Sequence, residues 1–317
     1  MVVDDCSKDD SVAWVHKAMA EHAHIRLVIN PHNMGKRIGI AHAVKQANSE
    51  IIVSVDSDVM VAKDAVRKLV SAFTEPNIAA VGGRVYVLNC NENWLTKMQT
   101  IKYYFGYEFL KNVENSFSTV MCLSGCLTAY KRDVLLQLEP ILLNRNIAGI
   151  AIKYGEDRFL TRQIVKAGYQ TKLLSTAHCY TKAPTTLSQY FSQQLRWRRS
   201  NLVDFIGSLS HIWHTNIFVG VHYLSLHCLL WAYPIFLWSS LLTGHYFEVA
   251  VIHFGTLAIY GAIYQFMSRN TPPDLRVSGV HFLWMGLIMP MTYMVLTIVA
   301  FLTLDSGSWE TRVVAKV

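Results

Sequence analysis

From Ile217 to Leu242 the chain runs 26 residues without an Asp, Glu, Lys or Arg, and from Val280 to Leu304 it does so again for 25. About 20 apolar residues in helical form cross the hydrocarbon core of a bilayer, and the core helix of a water-soluble domain rarely runs that long without a charge. Between the two stretches, Val249 to Tyr264 is also uncharged but shorter, closed by Glu248 and Gln265. The expected membrane spans are therefore about 217–242, 246–267 and 280–304. Charge placement sets this part against the rest: residues 1–200 hold 25 Lys/Arg and 17 Asp/Glu, residues 201–317 only 4 and 5. The sequence thus predicts a water-facing module followed by a lipid-facing one, which accounts for the 52% hydrophobic content.

The water-facing part alternates strand and helix patterns. Val2–Val3, Arg26–Ile29, Ile51–Val55 and Ala79–Val85 read as buried strands, and Ser11–Ala23, Lys36–Asn48 and Asp64–Phe73 as helices. Continuous apolar strands alternating with helices predict an α/β fold with a mostly parallel sheet. Ligands bind such sheets beyond the carboxyl ends of the strands, and there the acids fall: Asp4-Asp5 closes the first run and Asp56-Ser57-Asp58 the third. The chain opens on Met-Val-Val-Asp-Asp without a lead-in, so a first strand, and membrane helices, are expected upstream of this sequence. Residues 94–113 and 186–206 are amphipathic and rich in aromatic residues. The second interleaves Trp with Arg before the first span, as suits a helix lying in the membrane interface. The expected division is 1–185 catalytic, 186–212 interfacial, 213–304 transmembrane and 305–317 a tail.

Six cysteines without a CxxC pair fit a reducing compartment. The net charge of +7 comes from scattered Lys and Arg without a basic run. A membrane surface or an anionic nucleotide explains it without nucleic acid as partner.

Four motifs carry chemistry. Asp56 and Asp58 at a strand end repel each other if both face one site. A hard cation, Mg²⁺ or Mn²⁺, relieves that by bridging carboxylate and phosphate oxygens, and it neutralises a leaving diphosphate. Asn33-Met34-Gly35-Lys36-Arg37 opens a helix, and a glycine at a helix N-terminus beside a lysine suits an anion. Gly155-Glu156-Asp157-Arg158 opens another, where the acids serve either the helix dipole or general-base catalysis. Gln193-Gln194-Leu195-Arg196-Trp197 joins an arginine for a diphosphate to an aromatic face for a sugar. Each alone has an ordinary structural explanation.

In this order, ahead of membrane helices, Asp-Asp, Asp-x-Asp, Gly-Glu-Asp-Arg and Gln-x-x-Arg-Trp resemble the processive family 2 membrane glycosyltransferases. Leu123-Ser124-Gly125-Cys126-Leu127 resembles the Ser-Gly-Pro-Leu acceptor segment of the hyaluronan synthase and chitin synthase branch, which includes the rhizobial chitooligosaccharide synthases. Ser308-Trp309-Glu310-Thr311-Arg312 resembles its Trp-Gly-Thr-Arg motif. Cys126 and Glu310 depart from the expected Pro and Gly. The resemblance implies a GT-A-like fold and a UDP-sugar donor, with Asp5 on uridine, Lys36 and Asp56 at the nucleotide, and Asp58 as ligand to Mg²⁺ or Mn²⁺. It implies Asp157 as catalytic base, flanked by Glu156 and Arg158. Ser124, Gly125, Gln193, Arg196 and Trp197 would hold UDP and the acceptor end, with Trp309 and Arg312 in a gating tail.

The implied reaction is a single inverting displacement that polymerises an N-acetylglucosamine-containing polysaccharide, the growing chain and membrane lipid being the other partners. The oligomeric state is not readable. UDP-sugars place the catalytic module on the cytosolic face of a cell membrane. Arg269 and Arg276, in the loop between the second and third spans, place that loop on the same side. A third full crossing would put Trp309 and Arg312 outside, which a break at Pro290 would avoid. The competing readings are a non-processive family 2 transferase onto a lipid-phosphate acceptor and an inactive truncated homologue.

Overall fold

The computed structural model describes residues 1–147, 149–152 and 154–306. Trp309 and Arg312, and with them the expected gating tail, lie outside the described residues. The chain begins β1 (Val2–Asp4), α1 (Ser11–Glu21), β2 (Leu27–Ile29), α2 (Lys36–Gln46), β3 (Ile51–Val55), β4 (Val59–Val61), α3 (Ala65–Ser71) and β5 (Ile78–Val87). All four expected strands and all three expected helices of this part form, within a few residues of their predicted ends. Then follow α4 (Trp94–Phe105), a π turn (Gly106–Leu110), α5 (Lys111–Asn115), β6 (Leu127–Lys131), α6 (Arg132–Leu143), a hairpin of β7 (Asn146–Ile147) and β8 (Ile150–Ala151), α7 (Glu156–Lys166) and β9 (Gln170–Thr181). A long helix α8 (Leu187–Ser208) leads to α9 (Ile217–Thr243), α10 (Tyr246–Met267), and the helices α11 (Met285–Pro290) and α12 (Leu296–Leu302).

The sheet corrects one expectation: it is mixed, not mostly parallel. β1 and β2 pair in parallel as a separate ladder. The main sheet runs β3-β6-β5-β9-β4, and of its pairings only β5–β9 is parallel. A continuous apolar run reports burial on both faces. It does not report strand direction, and here helices cover a sheet that β6 enters in reverse. Val44 of α2, Leu69 of α3, Leu135 of α6 and Ile164 of α7 join β5 and β6 side chains in the main core. Each such aliphatic side chain contributes about 1.5–3 kcal/mol on burial.

Beyond α8 the packing changes character. Leu242, Phe247, Ile235 and Leu302 are all at least 70% exposed. Two helical stretches, Tyr246–Asn270 and Pro273–Leu302, are long and apolar enough to cross a membrane by length and composition. The expected first span, 217–242, falls on α9. At Pro290 the helix does not end; it widens into a π turn over Met291–Val295. Proline removes the amide that would bond the carbonyl four residues earlier, which is that of Gly286, and His253 Nε2 lies 3.3 Å from that oxygen.

Candidate active site

The site is assembled where the carboxyl end of β3 meets the start of α2, the loop into β6, the start of α7 and the middle of α8. Asp5, just past β1, accepts from Asn30 Nδ2 and the Met34 amide at 2.8 Å each through Oδ1, and from the Gly35 amide at 2.7 Å through Oδ2. It thereby fixes the turn that delivers Lys36 at the first position of α2. Asp5 thus sits behind the lysine and shapes its approach.

Lys36 is the hub. Its Nζ contacts Asp56 Oδ1 and lies 3.1 Å from Glu156 Oε1. Burial lowers its affinity for a proton, but the carboxylates of Glu156, Asp56 and Asp157 more than reverse that, so it stays charged. Strand β3 and helix α7, about a hundred residues apart in sequence, are joined at this ammonium. Gly125 closes over it: a Cβ there would stand 2.8 Å from Lys36 Nζ and 3.3 Å from Asp56 Oδ2.

Asp157 stands in the first turn of α7. Its Oδ2 accepts from the Gly125 amide at 3.3 Å and its Oδ1 from the Arg158 amide at 2.9 Å. A carboxylate has about four acceptor positions, so two amides orient it and leave capacity for a hydroxyl. The turn before it requires glycine: Gly155 has φ +68° and a side chain there would overlap Ser200 of α8. Thr161 ties the region down twice, donating to the Asp157 carbonyl at 2.7 Å and accepting from the Leu123 amide at 3.1 Å. Ser124 Oγ accepts from the Cys126 amide at 3.2 Å, and its carbonyl accepts from Thr128 Oγ1 at 2.7 Å. Arg158 directly follows Asp157; burial opposes its charge and the carboxylates of Asp204 and Asp157 favour it.

Helix α8 brings the last group. Trp197 lies 6.2 Å, ring to ring, from Tyr103 of α4. The Tyr103 hydroxyl is pushed up by burial, then by Cys126 and Asp58, and drawn back by Arg196. Tyr103 thus joins the site through its ring contact with Trp197, and it was not singled out from sequence. Its signal was there only as one of several aromatics in 94–113. Lys102 was missed as well: its Nζ donates to Gln194 Oε1 at 2.6 Å and sits 5.9 Å from the Trp197 ring. Gln193 Oε1 is buried with no hydrogen-bond partner among the described residues.

The donor set suits a hard divalent cation only in part. Asp58 is exposed and Asp56 is engaged by Lys36. Among the described residues no group of three or more His, Cys, Asp or Glu is placed to hold an ion. One or two carboxylates, with phosphate oxygens and water supplying the rest, is how Mg²⁺ is ordinarily held at a nucleotide, and Asp58 fits that role.

Residues 1–200 match the family described as "Glycosyltransferase like family 2", and the chain belongs to that family. The N-acetylglucosaminyltransferase of Rhizobium meliloti (strain 1021) is 33% identical over 204 residues, 64% of this chain and 48% of the relative. That of Rhizobium leguminosarum bv. viciae is 34% identical over 209 residues, 66% and 49%. The chain spans about half the length of these curated relatives. In fold it is similar to a mannosyltransferase from Pyrobaculum calidifontis solved with GDP-Man and Mn²⁺ (TM-score 0.59, 18% identity, 98% of this chain and 77% of that one).

Proposed function

We propose that the chain carries the donor and base sites of a membrane-bound N-acetylglucosaminyltransferase that extends a hyaluronan-like or chitin-like polysaccharide from UDP-N-acetylglucosamine. The observation that carries the reading is the Gly125 loop, whose amide holds Asp157 while its Cα lies against the Lys36–Asp56 pair, so that donor groups and base share one wall. The relatives' printed name supports the sugar.

In this reading Asp157 takes the proton of the acceptor hydroxyl as that oxygen attacks the anomeric carbon and the bond to UDP breaks. General-base assistance of this kind contributes about 10²–10⁴-fold. Lys36 and Arg196 meet the negative charge of the departing diphosphate, and Asp56 and Glu156 keep Lys36 in place. Asp58 would hold Mg²⁺ or Mn²⁺, which when bound supplies further charge neutralisation at the diphosphate. Trp197 and Tyr103 offer ring faces to the acceptor sugar, and the unpartnered Gln193 oxygen offers an acceptor for one of its hydroxyls. Asp5 acts through the 30–35 turn, and uridine recognition belongs to that same turn. Arg158 supports Asp157 through its charge. The helices α9 to α12 sit in the membrane and the catalytic part lies on the cytosolic face.

The test is to incubate membranes carrying the full-length protein with each UDP-sugar alone and in pairs. The product is then digested with chitinase or hyaluronidase. Polymer made from UDP-N-acetylglucosamine alone and cut by chitinase supports the chitin-like form, and dependence on a second UDP-sugar with hyaluronidase sensitivity the hyaluronan-like form. A single sugar on a lipid would replace polymerisation by transfer to a lipid-phosphate acceptor, and no UDP release at all would make the chain a non-catalytic homologue.

A further inference from the structure

The contact between α7 and α8 contains a buried acid that the transfer chemistry does not use. Asp204 of α8 is 1% exposed, and its Oδ1 lies 2.9 Å from Arg162 Nε of α7. Burial pushes its carboxyl up, and Arg162, Arg158 and Arg145 pull it back down. Arg162 is thus its direct ion-pair partner, while Arg145 and Arg158 lie on the same segment that bears the base and act on it through their charge. Arg145 Nη1 donates to the carbonyls of Tyr154 and Gly155 at 2.5 and 3.0 Å, fixing the chain just ahead of α7. Arg158 directly follows Asp157, and Arg162 lies one turn further on. From the other side, the Tyr223 hydroxyl of α9 lies 3.5 Å from Asp204 Oδ2 and 3.3 Å from Ser208 Oγ.

The same two helices approach closely at two glycines. Gly155 of the α7 cap lies against Ser200 of α8, and Gly207 of α8 lies against the Arg162 guanidinium; a methyl group at either would overlap its neighbour. At Gly155 the neighbours include the Cβ and Cα of Ser200, so α8 lies directly against the turn that opens α7.

We infer that Asp204 is a positioning residue: through its buried pair with Arg162 it sets the separation and rotation of α7, which carries Asp157, against α8, which carries Gln193, Arg196 and Trp197. The inference rests on the proposed reading of Asp157 as the base. Asp204 touches neither Lys36, Asp56 nor Asp58, and the charge that Arg196 meets develops only as UDP departs, so loss of Asp204 slows turnover and leaves ground-state donor binding in place.

The measurement is the initial rate of UDP release from UDP-N-acetylglucosamine by the full-length protein in membranes, against donor concentration. Misplacing a reacting group by about 1 Å costs on the order of 10²-fold, so Asp204→Asn lowers kcat by about that factor while the KM for the donor stays within about threefold. Asp204→Glu, which keeps the charge, recovers most of the rate. A kcat unchanged in Asp204→Asn, a donor KM that rises in step with the fall in kcat, or a Glu variant no better than Asn would each overturn the positioning role. If Asp204→Asn fails to accumulate, Arg162→Lys decides: a fall in kcat of about tenfold at constant donor KM supports the role, and a wild-type kcat removes it. Wild-type protein that releases no UDP would sink the functional reading itself and this role with it, a result distinct from wild-type turnover that Asp204→Asn leaves unchanged.

Discussion

The hydroxyl side chains of the two halves of this molecule differ in how far they reach. In the part that carries the site some donate within their own helix, as Thr100 does to Thr96, but others bond between elements: Thr161 accepts from the Leu123 amide, and Thr171 donates to the Val120 carbonyl at 2.8 Å. In α9 to α12 they turn back on their own helix. Ser240 donates to Phe236, Thr243 to Ser239, Thr256 to Ile252 and Thr292 to Ile288, all within one turn. A group facing water or a folded core has partners elsewhere; one facing hydrocarbon must find its partner in the helix that bears it. The first half thus adds hydrogen bonds that cross the fold to its apolar core, while the second is marked by length and outward apolar surface.

If that contrast holds, substitutions in the first half have large and specific effects and those on the outward faces of the second have small ones. Asp157→Asn carries the largest expected effect. Polymer synthesis falls by at least about 10²–10⁴-fold while UDP binding, followed by titration, is nearly unchanged; a lost UDP affinity would remove Asp157 from the role of base. Next is Lys36→Met, which leaves Asp56 and Glu156 facing each other without their cation. Removing one partner from a buried pair costs about 3–5 kcal/mol, and the partial exposure of this one puts it near the lower figure, read as a loss in chemical denaturation together with weaker donor binding. Wild-type stability in this variant would mean that the carboxylates need no lysine.

A pH measurement distinguishes the halves by a different route. Glu114 is buried, accepts from the Met121 amide at 3.0 Å, and is pushed up to about 7 by burial. The folded state holds a proton that the unfolded chain releases near pH 4.5. Its stabilising contribution is thus complete below that value and is lost as the pH rises through about 7. Between pH 5 and 7 the loss is about 2 kcal/mol, and Glu114→Gln flattens that decline; an unaltered profile would show Glu114 ionised in the fold. The smallest effect is expected at Leu242, which is 73% exposed. Leu242→Ala should change stability by less than about 0.5 kcal/mol, and a change several times larger would place that face against protein.

Much of this was legible in the sequence because the signals were local. Strand ends are marked by acids at Asp4-Asp5 and Asp56-Ser57-Asp58, and the uncharged runs stand out without any knowledge of tertiary structure. Gly125 and Asp157 were both selected from sequence, but nothing in either motif says that one amide bonds the other's carboxylate. The Lys36–Glu156 pair was hidden for the same reason: it joins the starts of two helices brought together only by the sheet. Sheet direction was misread because apolar runs carry no sign, and β6 and β4 run against their neighbours in the sheet. Tyr103 and Lys102 lay inside a run of aromatics whose spacing suggested an interface, while their distinguishing property is where Trp197 and Gln194 of a later helix come to rest.

The meeting of Gly261 and Gly279 has a mechanical consequence. A Cβ on Gly261 would stand 2.5 Å from the Gly279 carbonyl oxygen, so the two backbones touch with no compliant side chain between them. Further along the same helical run, Thr303 accepts from Arg199 Nε and Nη2 of α8 at 3.0 and 2.8 Å, and the Leu304 carbonyl accepts from the Tyr154 hydroxyl at 2.8 Å. A tilt of α10 is therefore passed through a stiff bearing to the helix that carries Trp197 and to the chain ahead of Asp157. Helices answer a change in bilayer thickness by tilting, so in a membrane the acyl-chain length of the surrounding lipid becomes a lever on the geometry of the cleft.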